Sequence, residues 1–139
     1  MTIKQNAEKL YKRVNIFILS CVGKDGYRLT KAVIPDKYRE SIDEIYFCTN
    51  TSSRFSVEIS KNPKASIYFY TRKLILTGCM LKRKMEIVSD LLIKKKHWQE
   101  KFKNAYPEKL YTNTDFCLLK FTPKVGRFYS RYRVEDFVF

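Results

Sequence analysis

The spacing of apolar residues along the chain predicts short strands together with a few helices. From residue 2 to about residue 13, apolar side chains recur at helical spacing with Lys and Glu between them, which predicts an amphipathic helix. The recurring apolar residues are Ile3, Ala7, Leu10, Tyr11 and Val14. We expect this helix to close one end of the core.

Seven later stretches are rich in β-branched and aromatic residues and are bounded by turn residues, so they predict strands. The stretches are residues 15–22, 27–34, 45–48, 65–70, 74–88, 116–122 and 127–132. Asp25 and Gly26 favour a tight hairpin, Gly78 is the expected site of a β-bulge, and residues 123–126 are expected to turn the chain. Because no alternating βαβ pattern occurs, the predicted fold class is mainly β with helices (α+β), a small six- to seven-stranded antiparallel barrel.

Helices are also predicted in the middle and in the second half of the chain. Ser52 or Ser53 can cap a short helix that turns Phe55 inward. Asp90 can cap a second long helix, closed by residues 106–107, whose apolar residues share one face. These apolar residues are Leu91, Trp98 and Phe102.

Three segments between and after these elements are placed by their composition. Residues 35–43 form a charged loop that contains proline and is expected to be exposed. The cationic run at residues 81–84 is expected to form an exposed edge of the sheet. The aromatic tail at residues 137–139 is expected to dock on the domain or on a partner, because an apolar terminus is seldom left in water.

The composition indicates one basic domain. A chain of 139 residues is long enough for one core, so residues 1–139 are taken as a single domain. Its 28 Lys and Arg against 14 Asp and Glu give a formal charge of +14, which favours an anionic partner. Nucleic acid, an acidic membrane face and a phosphorylated small molecule all satisfy this condition.

The cysteines and the single histidine do not predict a metal site. Cys21, Cys48, Cys79 and Cys117 are far apart in sequence and form no Cys-x-x-Cys pair, so we expect buried free thiols in a reducing compartment. His97 has no companion acid, base or nucleophile that the sequence identifies. The N-terminus carries no apolar signal segment and no run reaches membrane-spanning length, so a cytoplasmic protein without a membrane partner is expected.

The polar segment at residues 49–54 is the first candidate site. It follows a strand and begins a helix, so hydroxyls, backbone N–H groups and the Arg54 guanidinium collect where a phosphate could bind. Lys31 is the one charged member of a mostly apolar row on the second strand, and a lysine in such a row favours an anion nearby. The alternatives are an ordinary helix cap for the serines and a lysine that reaches solvent at the rim.

Several motifs of the chain are similar to those of one known family. They are Thr30-Lys31-Ala32, Tyr46-Phe47-Cys48-Thr49-Asn50 with Ser53-Arg54, Lys61-Asn62-Pro63-Lys64-Ala65, Asp90 with Trp98, and residues 116–121 with 126–129. On these motifs, nearly the whole chain resembles the split-barrel flavoproteins related to pyridoxamine 5′-phosphate oxidase and to the general stress protein 26 group.

The resemblance implies a split β-barrel of the FMN-binding type, with FMN bound at the interface of a homodimer. It also implies a set of cofactor-binding residues by motif position. They are Lys31 near the flavin, Ala32 and Val33 through their backbones, Cys48, Thr49 and Asn50 along the strand end and the ribityl chain, and Ser53 and Arg54 on the phosphate.

The resemblance further implies an oxidoreductase that takes electrons from a nicotinamide or another small-molecule donor. No acid–base pair stands out, so no catalytic side chain is assigned. Phe55 stands where the oxidase has a second basic residue, and Arg83 stands where relatives have glycine. The substrate-recognition segment of the oxidase has no counterpart at the C-terminus, so oxidation of vitamin B6 is not expected.

Two other classes of function stay open on the sequence. A non-catalytic carrier or sensor for flavin or haem would bind its cofactor on the same barrel without turnover. A basic nucleic-acid-binding barrel fits the charge and the aromatic content, but no recognised nucleic-acid motif is present. Nucleic acid is therefore the least favoured partner.

Overall fold

The structure is a computed structural model that describes residues 1–104 and 111–139. Its helices are α1 (Ile3–Arg13), α2 (Arg54–Lys61) and α3 (Leu91–His97), and a 3₁₀ helix (Glu100–Asn104) follows α3. Its strands are β1 (Phe17–Val22), β2 (Arg28–Val33), β3 (Ile45–Asn50), β4 (Lys64–Arg72), β5 (Leu76–Val88), β6 (Phe116–Ser130) and β7 (Arg133–Val138). Within the described residues, every helix is too short or too polar to cross a bilayer.

All seven strands belong to one antiparallel sheet. Six of them lie in the order β2-β1-β4-β5-β6-β3, and β7 pairs with the second half of β6. β2 and β3 end this row without pairing with each other, so the sheet stays open between them. This arrangement confirms the α+β class and the predicted split barrel.

α1 covers an aromatic core on the inner face of the sheet. Thr2 caps α1, and its hydroxyl accepts a backbone N–H from the first turn at 3.1 Å, so the helix begins where the sequence predicts. Tyr11 of α1 lies 5.5 Å from Phe17 of β1, measured between ring centroids. Phe17 in turn lies 5.1 Å from Phe69 of β4. Three separate elements therefore meet at one buried ring.

The predicted turn at residues 123–126 is wrong, because β6 continues through this segment. Pro123 lies opposite Arg83 next to a register shift between β5 and β6, and such an irregularity tolerates a residue without an N–H. Gly126 makes room for its neighbours, since a Cβ there would lie 2.6 Å from Cε1 of Phe137. Phe137 and Val138 of the aromatic tail lie in β7, and Phe137 and Phe139 pack against the core, which confirms the predicted docking.

β5 lies in the middle of the sheet, between β4 and β6. The expected sheet edge at residues 81–84 is therefore wrong. The register shift falls between Lys82 and Arg83, so the predicted bulge at Gly78 is also wrong. Gly78 serves close packing instead, because a Cβ there would lie 2.6 Å from the Tyr68 hydroxyl.

The predicted second long helix is divided into two short ones. The Asp90 carboxylate caps α3 as predicted, but α3 ends at His97. Its last turn tightens, because the Trp98 N–H bonds a carbonyl only three residues back. Leu91 is exposed, so the apolar face drawn from the sequence is not continuous. The predicted closure at residues 106–107 lies outside the described residues.

Candidate functional site

The end of β3 and the start of α2 form a fixed polar turn. Ser53 caps α2, since its hydroxyl accepts the backbone N–H of Ser56 at 3.2 Å. The Ser53 N–H and the Ser56 hydroxyl both donate to the carbonyl of Asn50, at 3.0 and 2.9 Å. The Thr49 hydroxyl lies 3.4 Å from that of Ser53. The predicted cap is confirmed, and these hydrogen bonds hold the turn in place.

The other half of this turn already holds a carboxylate, which the sequence analysis missed. Oδ1 of Asp115 accepts the Thr51 hydroxyl at 2.8 Å, the Ser52 N–H at 3.2 Å and the Ser52 hydroxyl at 3.1 Å. These hydrogen bonds, the Thr51 hydroxyl first among them, hold the pKa of Asp115 below its ordinary value. Of the polar segment at residues 49–54, the part formed by Ser53 and Arg54 therefore remains available to an external anion.

The Asp115 contacts predict a pH-dependent contribution to stability. Because the pKa is lowered in the folded state, the contribution is present above the ordinary carboxylate pKa and is lost as pH falls through the folded value. The difference in free energy of unfolding between the wild type and Asp115→Asn should therefore shrink between about pH 5 and pH 2 in urea titrations. Thr51→Val, which removes one donor, should weaken this pH dependence. If the difference in free energy of unfolding between the wild type and Asp115→Asn stays constant with pH, this prediction is wrong.

Lys31 of β2 points into the barrel and meets α2. Leu29, Lys31 and Val33 are half-buried and Ala32 is exposed, which confirms the predicted row for these residues, whereas Tyr27 at its start is exposed. Nζ of Lys31 lies 5.5 Å from the ring centroid of buried Phe55, the residue that follows Arg54. Phe55 thus holds Lys31 through a cation–π contact.

The guanidinium of Arg54 is exposed and forms no ion pair with any described residue. It extends from the first position of α2, while Lys31 approaches the next residue of that helix from β2. The structure therefore brings the two predicted cations to the same end of the barrel. Arg54 is the one that is open to solvent.

A buried acid near Lys31 was also missed by the sequence analysis. Glu58 of α2 is only 5% exposed and lies one turn beyond Phe55. Burial raises the pKa of the Cys21 thiol, and the charges of Glu58 and Lys31 act on the same thiol with opposite sign. Glu58 from α2 and Lys31 from β2 therefore both act electrostatically on Cys21.

Cys48 lies on the other face of β3, away from Lys31 and Ser53. Side chains alternate along a strand, so Cys48 points outward while Thr49 points toward the turn. The Cys48 thiol lies 3.8 Å from the backbone oxygen of His97, under the end of α3. Burial raises its pKa to about 12, so it is not a nucleophile at neutral pH.

The structure gives His97 the companion that the sequence did not reveal. Nδ1 of His97 is in direct contact with Oδ2 of Asp36, and both side chains are buried. Asp36 lies in the loop at residues 35–43, so the prediction of an exposed loop is wrong at this residue. The His97 ring also stacks on Tyr46 of β3, with 4.3 Å between the ring centroids. The loop is folded against α3 by this pair.

The expectation of free thiols is confirmed. All four cysteines are free, three of them are buried and Cys48 is half-buried. In the described part of the chain, no three His, Cys, Asp or Glu side chains come together in an arrangement suited to a metal ion.

Known proteins match the chain over almost its whole length. Residues 4–135 match a family described as pyridoxamine 5′-phosphate oxidase like. A protein from Clostridium acetobutylicum, related to general stress protein 26 of B. subtilis, is 26% identical and superimposes with a TM-score of 0.80. That match covers 96% of this chain and 92% of the other chain. No sequence among the curated proteins matches significantly.

Two more distant structures share the fold. A heme binding protein from Mycobacterium smegmatis is 14% identical with a TM-score of 0.77, over 99% of this chain and 58% of that one. A pyridoxamine 5′-phosphate oxidase-related, FMN binding protein from Nostoc punctiforme is 13% identical with a TM-score of 0.72, over 100% and 98% of the two chains. Because the family match leaves out only the first three and the last four residues, this chain belongs to the pyridoxamine 5′-phosphate oxidase-like family.

Proposed function

We propose that this protein is a homodimeric, cytoplasmic flavoprotein that binds FMN and acts as an oxidoreductase. The observation that carries the proposal is the exposed guanidinium of Arg54, which forms no ion pair among the described residues, at the serine-capped start of α2 with Lys31 alongside. A related fold that binds FMN in Nostoc punctiforme supports the choice of cofactor. The electron donor is proposed to be a nicotinamide or another small molecule.

The start of α2 has the donors that a phosphate requires. The first intrahelical hydrogen bond of α2 runs from the N–H of Val57 to the carbonyl of Ser53, so the N–H groups of Arg54 and Phe55 lie ahead of it. Those groups, the helix dipole and the guanidinium all favour an anion at the same point. The residues present therefore fit the phosphate end of FMN.

The remaining predicted residues can serve the rest of the cofactor. Among the described strands β2 pairs only with β1, and alternate residues of an antiparallel edge strand turn their N–H and C=O outward, so one of the two neighbours Ala32 and Val33 has backbone groups available to hydrogen-bond a flat polar ring. Thr49 and Asn50 continue from the phosphate turn along β3. Cys48 can contribute through its backbone alone, because its thiol lies under α3. When bound, FMN supplies the electron-carrying chemistry, and the protein holds and orients it.

Arg54→Gln is expected to weaken FMN binding by about tenfold to a hundredfold, because one charge-assisted hydrogen bond to the phosphate is lost. Quenching of flavin fluorescence during titration measures this effect. Riboflavin, which lacks the phosphate, should bind the wild type and Arg54→Gln equally. Arg72→Gln, an exposed arginine at the far end of β4, is the matched control. Wild-type protein that retains no FMN would overturn the proposal.

A carrier or sensor on the same barrel is the second candidate, favoured by the haem-binding structural neighbour. For haem, the donors are poor, because the single histidine is buried against Asp36 and the thiols are largely buried. Flavin binding without oxidation of NADH or NADPH in the presence of common acceptors would favour a flavin carrier. Turnover under these conditions would support the oxidoreductase.

A further inference from the structure

A second basic site lies away from the start of α2. A groove of about 640 Å³ opens where the hairpin of β1 and β2 meets the start of β4 and the middle of β5. Among the described residues, four cationic side chains and no acidic one line it. They are Arg28, Lys64, Lys82 and Arg83. None of the residues that hold the proposed FMN phosphate is among the groove residues.

None of the four cations forms an ion pair with a residue in the described ranges 1–104 and 111–139. The hydrogen bond from Arg127 and, to a smaller extent, the charge of Lys82 lower the pKa of Asp136. Asp136 is bound by Nε of Arg127 at 2.8 Å. No ion pair among the described residues therefore neutralises the groove cations.

The strand register concentrates these charges despite their repulsion. Lys64 of β4 stands directly opposite Lys84 of β5, and like charges in this arrangement are destabilising. Lys82 and Arg83 are consecutive and would point to opposite faces of a regular strand. The register shift between them interrupts that alternation, and both side chains line the groove. An anion in the groove would relieve the repulsion.

The groove also contains hydroxyl groups that suit phosphate oxygens. The hydroxyls of Ser20 and Thr30 lie 3.0 Å apart on neighbouring strands, and Ser66 lies on the next strand. No aromatic side chain of the described residues lines the groove to serve as a platform for stacking nucleic-acid bases. Its volume is that of a small-molecule site.

We propose that this groove is a second anion site, which binds a small molecule through a diphosphate group. The groove hydroxyls donate hydrogen bonds to the phosphate oxygens, and the four cations balance the negative charge of the diphosphate. A diphosphate is favoured over a single phosphate because four cations surround one cavity. The ligand is either free diphosphate or a dinucleotide, which carries the same group.

Calorimetric titration with inorganic diphosphate, NADH and NADPH tests the proposal. In the double variant Lys64→Gln/Arg83→Gln, diphosphate affinity should fall by about a hundredfold, which is about tenfold for each cation removed. The double variant without ligand should melt at a higher temperature than the wild type, because Lys64 no longer repels Lys84. Lys73→Gln, which changes an exposed lysine just beyond the opposite end of β4, should change neither quantity.

Each further outcome decides between the alternatives. Tighter binding of either dinucleotide than of diphosphate supports a dinucleotide ligand, and equal or weaker binding supports free diphosphate. Arg54→Gln should leave diphosphate binding intact, and the double variant should still bind FMN. Loss of FMN binding in the double variant would contradict the proposal that the groove is separate from the FMN site. Failure of the wild type to bind diphosphate, or binding of a single-stranded oligonucleotide alone, would overturn the proposal.

Discussion

Replacing His97 with phenylalanine is expected to lower the free energy of unfolding by about 3–5 kcal/mol, because it leaves the buried carboxylate of Asp36 without its partner. The side chains of His97 and Asp36 are only 4% and 1% exposed. Phenylalanine keeps an aromatic ring against Tyr46, so the loss reports mainly on the polar contact. Urea unfolding followed by circular dichroism measures it.

A second variant at this position separates the polar contact from packing. In His97→Asn, the side-chain amide can donate to Asp36 from a position close to that of Nδ1, so the expected loss is smaller, about 1–2 kcal/mol. Asp43→Ala serves as the surface control, because its ion pair with Lys4 is exposed and is worth about 0–1 kcal/mol. Equal losses in His97→Phe and His97→Asn would contradict the importance of the buried pair.

Replacing Phe17 with alanine is expected to cost about 3–5 kcal/mol of unfolding free energy, because a large cavity opens between packed elements. Phe17 is fully buried. Its ring centroid lies 5.5 Å from that of Tyr11, 5.8 Å from Phe47 and 5.1 Å from Phe69. One ring therefore joins α1 to β1, β3 and β4.

Comparing side chains of different size at residue 17 tests whether the cavity causes the loss of stability. Phe17→Leu keeps most of the apolar volume and should cost about 1–2 kcal/mol, which urea titration distinguishes from the alanine variant. Tyr27→Ala removes a ring that is 78% exposed, and its effect should stay within about 0.5 kcal/mol. Similar losses for leucine and alanine would show that Phe17 does not fill a rigid space.

Local patterns were sufficient to predict most of the elements. The helical spacing of apolar residues predicted α1, and the hydroxyls at residues 52–53 predicted the start of α2. The hairpin between β1 and β2 follows from Gly26, whose φ of 83° is the left-handed value that glycine readily adopts. These features depend on neighbouring residues alone, so the sequence contains the information directly.

Proline and glycine misled the prediction of the C-terminal half. Pro123 and Gly126 resemble a turn when read locally, yet both lie within β6. Pro123 is tolerated next to the register shift, and Gly126 accommodates the ring of Phe137 from β7. The same residue types serve turns and close packing, and only the neighbouring strands distinguish the two uses.

The sequence predicted the basic residues of the candidate site but not the acidic residues beside them. Alternation along β2 indicated that Lys31 points inward, and the structure places it against the helix that begins with Arg54. Asp115 and Glu58 were not recognised, because an acid far away in the chain or on a helix face carries no local sign of its partner. The groove cations were likewise scattered over three separate strands.

The sequence by itself determined the helix starts, most strands, the antiparallel class and the inward direction of Lys31, since these follow from spacing and caps within a few residues. Only the tertiary structure decided that His97 meets Asp36, that Asp115 occupies half of the phosphate turn and that four cations share a groove. Those contacts join residues up to 64 positions apart, as between Thr51 and Asp115. The order and register of strands in the sheet set them, and the pairing of distant strands is not encoded in any short stretch of chain.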